Sequence, residues 1–374
     1  MSPLAADISP SNPATSKKPL VTLCLFAYNH ERWIRQAVEG ALAQTYSPLE
    51  ILFSDDGSSD KTFAIMEELS KKYVGPHKIL LNRNEHNAGI LPHFNKLVSL
   101  ATGDLLVCAA GDDISVPERV ATLVNAWVKH DMKPLVICSG VAFLKSENQK
   151  CGIWKPNQCG TETISRSEFL RTTPCFGASA AYASRLFNLY PAPSDRALSE
   201  DNLYFARAYL AGDILWLQDV LVHYRLGGIS SKNSMSLMWF KTQNTFFIPL
   251  YRQLLKDIDH LKSTGVATYH DEEVVVRQRL YSELVKARML KSDTWRIRLR
   301  WYQLLKRSDP FLKHDWFWRS LCLPLVIACP MINLVRIYKP FAYRIKIQTR
   351  PIRYRFYALF GKMRKQNPDI HPSC

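Results

Sequence analysis

Two apolar runs in the first third of the chain each lead into a pair of acidic residues. Residues 51–53 precede Asp55 and Asp56, and residues 105–110 precede Asp112 and Asp113. Continuous apolar runs are typical of strands that are buried on both faces of a parallel sheet. Ligands of α/β folds bind at the carboxyl ends of such strands, so we expect both acidic pairs to lie at a binding edge.

The apolar positions between these runs predict alternating strands and helices. A strand at residues 20–26, a helix at about 29–44 and the strand at 51–53 form a βαβ unit. The alternation continues with a helix whose apolar positions are Phe63, Ile65, Met66 and Leu69, a strand at 79–81, a helix at about 91–101 and a helix that begins at Pro117. This order predicts an α/β fold.

Two adjacent carboxylates at the edge of a sheet cost free energy unless a cation or a basic ligand neutralises them. Oxygen ligands suit Mg²⁺ or Mn²⁺, so a metal-bound diphosphate would meet the need. A single acidic pair is equally well explained as turn and helix N-cap residues, which Asp and Ser favour.

The order and spacing of several motifs together resemble family 2 inverting glycosyltransferases, over roughly residues 20 to 230. The motifs are Val21-Thr22-Leu23 through Ala27-Tyr28-Asn29, Ala43-Gln44-Thr45-Tyr46, Asp55-Asp56-Gly57-Ser58, Asn87-Ala88-Gly89 and Gly103-Asp104 through Asp112-Asp113. The resemblance implies the GT-A fold, a mixed and mainly parallel sheet flanked by helices. It also implies a nucleotide-binding half at residues 20–115 and an acceptor half at 116–232.

The resemblance implies roles for residues at the strand ends. Ala27, Tyr28 and Asn29 would line the nucleoside pocket, and Asp56, with Asp55 beside it, would hydrogen-bond the base.

Asp112 and Asp113 match the family's metal and sugar-diphosphate motif, with Asp113 as the direct metal ligand. Relatives often carry a further Asp where this chain has Gly111, so coordination would rely on diphosphate oxygens and water. Asn87, Gly89 and Asn95 match positions that approach the sugar and diphosphate.

A second acidic pair, Glu200 and Asp201, matches the position of the family's catalytic base, and Asp201 fits that role. In an inverting transfer one carboxylate takes the proton of the acceptor hydroxyl while a cation stabilises the leaving diphosphate. Acidic residues also favour helix N-termini for electrostatic reasons, which is the structural alternative.

Two further segments match parts of the family's site. Residues 174–182 are small and flexible and match an acceptor-facing loop, although a tight core strand explains them equally well. Arg225 is a phosphate candidate, because a guanidinium pairs bidentately with phosphate oxygens. His223 is a weaker metal candidate, since relatives carry their His two residues after the Arg, where this chain has Gly227.

The composition fits a folded chain of 374 residues, of which 47% are hydrophobic. Residues 1–19 lack a long apolar core and are interpreted as a flexible leader, not a secretory signal. Nine Cys without metal-type spacing indicate reduced thiols in the cytoplasm.

The C-terminal part changes to helical patterns at residues 233–310 and then to a basic aromatic tail at 311–374. Residues 291–374 hold 18 Lys or Arg and 4 Asp or Glu, a net charge of +14 out of +16 for the whole chain. The apolar stretch at 321–332 is shorter than the roughly twenty residues that span a bilayer, so we expect a peripheral anchor on an anionic membrane surface. A core helix with solvated charges is the plainer alternative, and no nucleic-acid fold signature is present.

These observations predict a metal-dependent, inverting glycosyltransferase on the cytoplasmic face of the cell membrane. It would move a sugar from a nucleotide diphosphate sugar to a glycan or lipid-linked acceptor in cell-envelope polysaccharide or lipopolysaccharide synthesis. The sequence lacks the Gln-x-x-Arg-Trp element of processive synthases, which favours addition of one or few sugars. The alternatives are a nucleotidyltransferase, whose Gly-rich loop is missing at residues 27–31, and a catalytically silent binding module.

Overall fold

The computed structural model describes residues 18–145, 149–157, 159–161, 176–193, 199–226, 237–265, 269–291 and 295–308. The chain divides into two compact units, Met1–Ala287 and Arg288–Cys374. The predicted tail at 311–374, and the predicted leader up to residue 17, lie outside the described residues.

Strands and helices alternate through most of the first unit. They are β1 (Val21–Ala27), α1 (Ile34–Leu42), β2 (Leu49–Asp55), α2 (Thr62–Lys72), β3 (Lys78–Arg83), α3 (Ile90–Leu100), β4 (Leu105–Ala110), β5 (Ile114–Ser115), α4 (Arg119–Lys129), β6 (Val136–Leu144), β7 (Lys150–Trp154), β8 (Ala180–Ala183), α5 (Glu200–Ala211), β9 (Ile214–Arg225), α6 (Leu237–Ser263) and α7 (His270–Lys291). The last residues of α7 belong to the second unit, as does α8 (Trp295–Ser308).

The strands form one mixed sheet in the order β3-β2-β1-β4-β8-β6-β9-β5, with β7 paired to β6. The first four strands in this order are parallel, β8 runs antiparallel to both β4 and β6, and β9 runs parallel to β6. The predicted α/β class with flanking helices is confirmed. Parallel pairing, which we predicted for most of the sheet, predominates in its N-terminal half, whereas the other half is mostly antiparallel.

Alternate residues of the strands point to opposite faces of the sheet, and each face has its own hydrophobic core. Leu23, Leu25 and Phe53 contribute to the core on the side of α1 and α4. Tyr182 and Trp216 contribute to the core on the side of α3, α5 and α6. Because helices cover both faces, the carboxyl edge of the parallel strands is where polar side chains can collect.

Several element boundaries differ from the sequence prediction. β4 ends at Ala110, so Asp112 and Asp113 lie in the turn after the strand and do not end it. Helix α1 begins at Ile34, several residues later than predicted, because Asn29 adopts the left-handed conformation with a φ of 53°. Within the predicted acceptor-facing segment, β8 is a buried core strand, and residues 162–175 lie outside the described residues.

Helices follow the sheet, as predicted, but residues 274–305 belong to two helices, α7 and α8. A buried ion pair fixes α5 to α6, since the Arg207 guanidinium donates to both carboxylate oxygens of Asp257, each at 2.9 Å. In the part of the chain that the structure describes, no helix is both long enough and apolar enough to cross a bilayer.

Candidate active site

Backbone hydrogen bonds align the residues that follow the first four strands. The Asp56 amide, after β2, donates to the carbonyl of Ala27 at 2.9 Å, and the Gly111 amide, after β4, donates to another carbonyl of β1 at 3.0 Å. The Asn84 amide, after β3, donates to the carbonyl of Asp55 at 2.8 Å. The polar residues after these strands therefore meet at one edge of the sheet.

The turn after β1 contains the predicted nucleoside-pocket residues. Ala27 is buried, whereas Tyr28 and Asn29 are half-buried. Asn29 connects this turn to the turn after β2, because its amide donates to the Ser58 hydroxyl at 2.8 Å and its Oδ1 accepts from the Ser59 amide at 3.0 Å. The two turns brace each other at the binding edge.

Both carboxylates at the end of β2 are buried and accept hydrogen bonds from neighbouring loops. Asp55 accepts from the Ser58 amide at 3.0 Å and from the Ser58 hydroxyl, and Arg83 lies 3.5 Å away. Asp56 accepts from the Asn84 side chain at 2.7 Å and from the Ala88 amide at 3.0 Å. These carboxylates organise the loops of the donor half, and a base contact by Asp56 stays a prediction.

The loop after β3 holds the predicted sugar and diphosphate residues. Gly89 has a φ of 88°, a conformation that favours glycine, and its amide donates to Asp56 at 3.1 Å. Asn87 is exposed in this loop. Asn95 lies one turn into α3, where its Oδ1 accepts from the Tyr204 hydroxyl at 2.8 Å and so links α3 to α5.

Asp112 and Asp113 occupy the turn after β4, and Asp113 is buried. The Arg225 amide donates to Asp113 Oδ1 at 2.8 Å, but Asp113 Oδ2 is buried with no hydrogen-bond partner among the described residues. Burial, together with the negative charge of Asp112, raises the pKa of Asp113 well above its usual range. A cation beside Oδ2 would remove this cost.

The side chain of Arg225 is buried behind the same turn. Its Nε donates to the Asp112 carbonyl at 3.0 Å and its Nη2 donates to Gln36 at 2.7 Å. His223 pairs through its backbone with Ile114 of β5, and burial, followed by the charge of Lys150, lowers its pKa. Arg225 therefore shapes the acidic turn, and its predicted phosphate contact stays a prediction.

His30 is a residue of this edge to which sequence analysis gave no role. It is buried beside Asp112, with its Nε2 atom 4.0 Å from Asp112 Oδ2. Burial lowers its pKa, against the opposing influence of Asp112 and two other acidic residues. The apolar pattern gave no signal, because His30 reaches this place through the left-handed turn at Asn29.

Glu200 and Asp201 begin α5, and Gly177 lies against them. A Cβ atom at Gly177 would lie 2.9 Å from Asp201 Cβ and 3.2 Å from Glu200 Oε1. Asp201 Oδ1 accepts from the Ser199 hydroxyl and, at 2.6 Å, from the Asn202 amide. Burial, and then the negative charge of Asp201, raises the pKa of Glu200 to about 8.

Arg119, which sequence analysis also missed, connects the acidic turn to the segment that packs on Asp201. Its guanidinium is fully buried and donates to the carbonyls of Cys108 at 2.7 Å and Ala178 at 2.8 Å, and to the Ser115 hydroxyl at 2.9 Å. Burial lowers its pKa to about 10, so it remains a cation at neutral pH. One signal was available in the sequence, since a basic residue in the first turn of a helix opposes the helix dipole.

The donor set of the acidic turn fits a divalent cation of the Mg²⁺ or Mn²⁺ type. Carboxylate oxygens are the preferred ligands of these ions, and the buried Asp113 Oδ2 atom lacks a partner in the described structure. No complete cluster of three His, Cys, Asp or Glu side chains is assembled among the described residues. Diphosphate oxygens and water would have to complete the coordination.

Known proteins resemble this chain in both sequence and fold. Residues 22–188 match the model of the family described as glycosyl transferase family 2. EpsE of Bacillus subtilis is 33% identical over 112 residues, which cover 30% of this chain and 40% of EpsE. An uncharacterized glycosyltransferase of Haemophilus influenzae is 25% identical over 238 residues, which cover 60% of this chain and 70% of the relative.

The fold is also that of solved structures. The crystal structure of S. aureus TarS 1-349 in complex with UDP-GlcNAc superposes with a TM-score of 0.53 and 17% identity, covering 87% of this chain and 92% of that one. The predicted resemblance is thereby confirmed. The chain belongs to glycosyl transferase family 2, and it is a glycosyltransferase with the GT-A fold.

Proposed function

We propose that this glycosyltransferase is inverting and metal-dependent, and that it moves one or a few sugars from a nucleotide diphosphate sugar to a glycan or lipid-linked acceptor. The acceptor would belong to cell-envelope polysaccharide or lipopolysaccharide synthesis. The observation that supports the proposal best is the buried Asp113 Oδ2 atom, which lacks a partner among the described residues at the edge where the parallel strands end.

Asp113 and Asp112 would hold Mn²⁺ or Mg²⁺ together with the donor diphosphate. The bound ion supplies positive charge that stabilises the leaving nucleoside diphosphate. Arg225 supports this arrangement because its amide and guanidinium fix the two acidic residues in the turn.

Asp201 would act as the general base in a single displacement. The acceptor hydroxyl attacks the anomeric carbon from the face opposite the leaving group, and Asp201 accepts its proton. Glu200, protonated near neutral pH, would leave Asp201 as the charged member of the pair. Arg119 and Gly177 support this assignment, since they connect Asp201 to the turn that carries Asp113.

The nucleoside would bind against the turn formed by Ala27, Tyr28 and Asn29, with Asp56 and Asp55 at its far side. The loop that contains Asn87 and Gly89 would approach the sugar and diphosphate. The hydrogen bonds that connect these segments support the proposal, because they shape one continuous pocket wall from β1 to β3.

Helix α8 supports a peripheral position on an anionic membrane surface. Its sequence contains five Lys or Arg and no Asp or Glu. Ile297 is 46% exposed and Leu304 is 38% exposed, next to exposed Arg296 and Arg300. A helix with basic and apolar groups on its surface suits the headgroup region, where apolar side chains insert and basic ones meet anionic lipids.

Donor binding is expected to require both a nucleoside diphosphate and a metal. We expect one of UDP, GDP, dTDP and CMP to raise the unfolding temperature only with Mn²⁺, because a ligand at a hundred times its dissociation constant stabilises by about 2.7 kcal/mol. Thermal shift assays would measure this, with UDP-GlcNAc included in the panel. Asp113→Asn should lose the metal-dependent part, whereas Asp131→Asn, an exposed control, should keep it. A Mn²⁺-dependent shift retained in Asp113→Asn would contradict this assignment.

Asp201→Asn is expected to separate catalysis from donor binding. Loss of a general base should reduce the turnover rate by about 10²- to 10⁴-fold, while the donor dissociation constant changes little. Release of the nucleoside diphosphate in the presence of an acceptor fraction would report turnover, with Asp219→Asn as an exposed control. Unchanged transfer would place the base elsewhere, and donor binding without transfer in the wild type would favour a silent binding module.

Glu200 is expected to make stability depend on pH. The folded-state pKa is about 8 and the ordinary value is 4.5, so between these values the folded chain binds more protons than the unfolded chain. The contribution of Glu200 to stability is therefore lost as the pH rises from about 4.5 to 8. Glu200→Gln should remove this part of the decline, which denaturant unfolding at several pH values would measure. A difference between variant and wild type that is independent of pH would refute the shift.

Membrane attachment is expected to depend on anionic lipid. The full-length protein should co-sediment with phosphatidylglycerol vesicles, but not with phosphatidylcholine vesicles, and raised salt should weaken binding. Each basic residue near the surface contributes about 1 kcal/mol, so Arg296→Glu with Arg300→Glu should weaken binding at least tenfold. Gln303→Ser serves as a neutral control on the same helix. Equal binding to both kinds of vesicle would argue against the electrostatic anchor.

A further inference from the structure

The turn after β4 supplies two carboxylates, and the backbone leaves no room for a third side chain at Gly111. A Cβ atom there would lie 2.6 Å from Ala27 Cβ and 2.6 Å from His30 Nδ1, which is closer than such atoms come in folded proteins. The imidazole of His30 fills the space in front of this glycine. A further protein ligand for a cation at Asp112 and Asp113 therefore has to come from another segment.

His30 is held at this position by its backbone and by packing. Its amide donates to the Thr62 hydroxyl at 2.8 Å, and its carbonyl accepts from the amides of Trp33 at 2.8 Å and Ile34 at 2.9 Å. The ring lies edge-on to that of Trp33, with 6.1 Å between centroids.

The imidazole itself is not a hydrogen-bonded core histidine. His30 is only 8% exposed, and its Nδ1 atom has no hydrogen-bond partner in the described part of the chain. Most buried polar atoms in folded proteins have partners, because leaving one unsatisfied costs about 1–3 kcal/mol. A histidine held in this way, beside an acidic pair, is better explained by a ligand than by folding.

The distance between His30 Nε2 and Asp112 Oδ2 suits two ligands of one ion. At 4.0 Å the two atoms are too far apart for a direct hydrogen bond. Metal bonds of about 2.0–2.2 Å to nitrogen and oxygen let one ion bridge two atoms up to roughly 4.2 Å apart. The observed separation needs no movement of either side chain.

We propose that His30 is a direct ligand of the catalytic divalent cation, with its Nε2 atom and Asp112 Oδ2 binding the ion from opposite sides. This inference rests on the proposed metal-dependent function. The site then combines nitrogen and oxygen donors from the turns after β1 and β4. A nitrogen ligand favours transition metals such as Mn²⁺ over Mg²⁺, so His30 would set the metal preference of the enzyme.

Pulsed electron paramagnetic resonance of Mn²⁺ bound to the full-length protein, with the nucleoside diphosphate that gives the thermal shift, tests this directly. A coordinated imidazole gives nitrogen modulation of the Mn²⁺ echo, and selective ¹⁵N-histidine labelling changes that modulation in the wild type. We expect the labelling effect in the wild type, in His223→Gln and in the control His130→Gln, which lies at the opposite end of α4. We expect its loss in His30→Gln and His30→Asn, with about tenfold weaker Mn²⁺ binding.

The outcomes separate this inference from the proposed function. Mn²⁺ binding that depends on Asp113 but shows no effect of histidine labelling would overturn the role of His30 and leave the metal-dependent function standing. A labelling effect that persists in His30→Gln, or that disappears in His223→Gln, would assign the ligand to another histidine and overturn the proposal. Absence of Mn²⁺ binding by the wild type with every nucleotide would overturn both.

Discussion

Burial of carboxylates at the carboxyl edge of the sheet is the constraint on which the site depends. A buried charge is costly unless donors or a cation compensate for it, and the acidic pairs of this edge are compensated differently. Asp55 and Asp56 receive hydrogen bonds from the loops around them, so they fix the shape of the donor half. Asp113 receives one such bond and keeps a buried oxygen without a partner in the described structure, which points outward to a ligand.

Arg119 extends this constraint to the second half of the domain. Its guanidinium satisfies carbonyls of Cys108 in β4 and Ala178 before β8, and its positive charge favours the ionised form of Asp113. Truncation of this side chain would leave buried carbonyls unsatisfied and would also loosen the segment that packs on Asp201. Stability and the relative positions of the two acidic centres are therefore coupled through one residue.

The sequence predicts the parts of the site that depend on local pattern. Apolar runs located β2 and β4, and the acidic residues after them were predicted at the binding edge. Long-range contacts were not accessible in this way: His30 reaches Asp112 across 82 positions, and Ala178 meets Arg119 across 59. The start of α1 was also misplaced, because the left-handed turn at Asn29 is stabilised by Ser58 and Ser59 from another loop.

The mixed sheet explains why Asp201 is at the same edge as Asp113 although the two lie far apart in sequence. β9 runs parallel to β6, and β8 lies antiparallel between β6 and β4, so β9 has the same direction as β4. Because α5 leads into the start of β9, it must run in the opposite direction, and its N-terminus faces the carboxyl edge. The helix dipole favours carboxylates there, while burial raises the pKa of Glu200. Two adjacent acids at one helix end are thus given different protonation behaviour by their surroundings, which suits a base paired with a neutral neighbour.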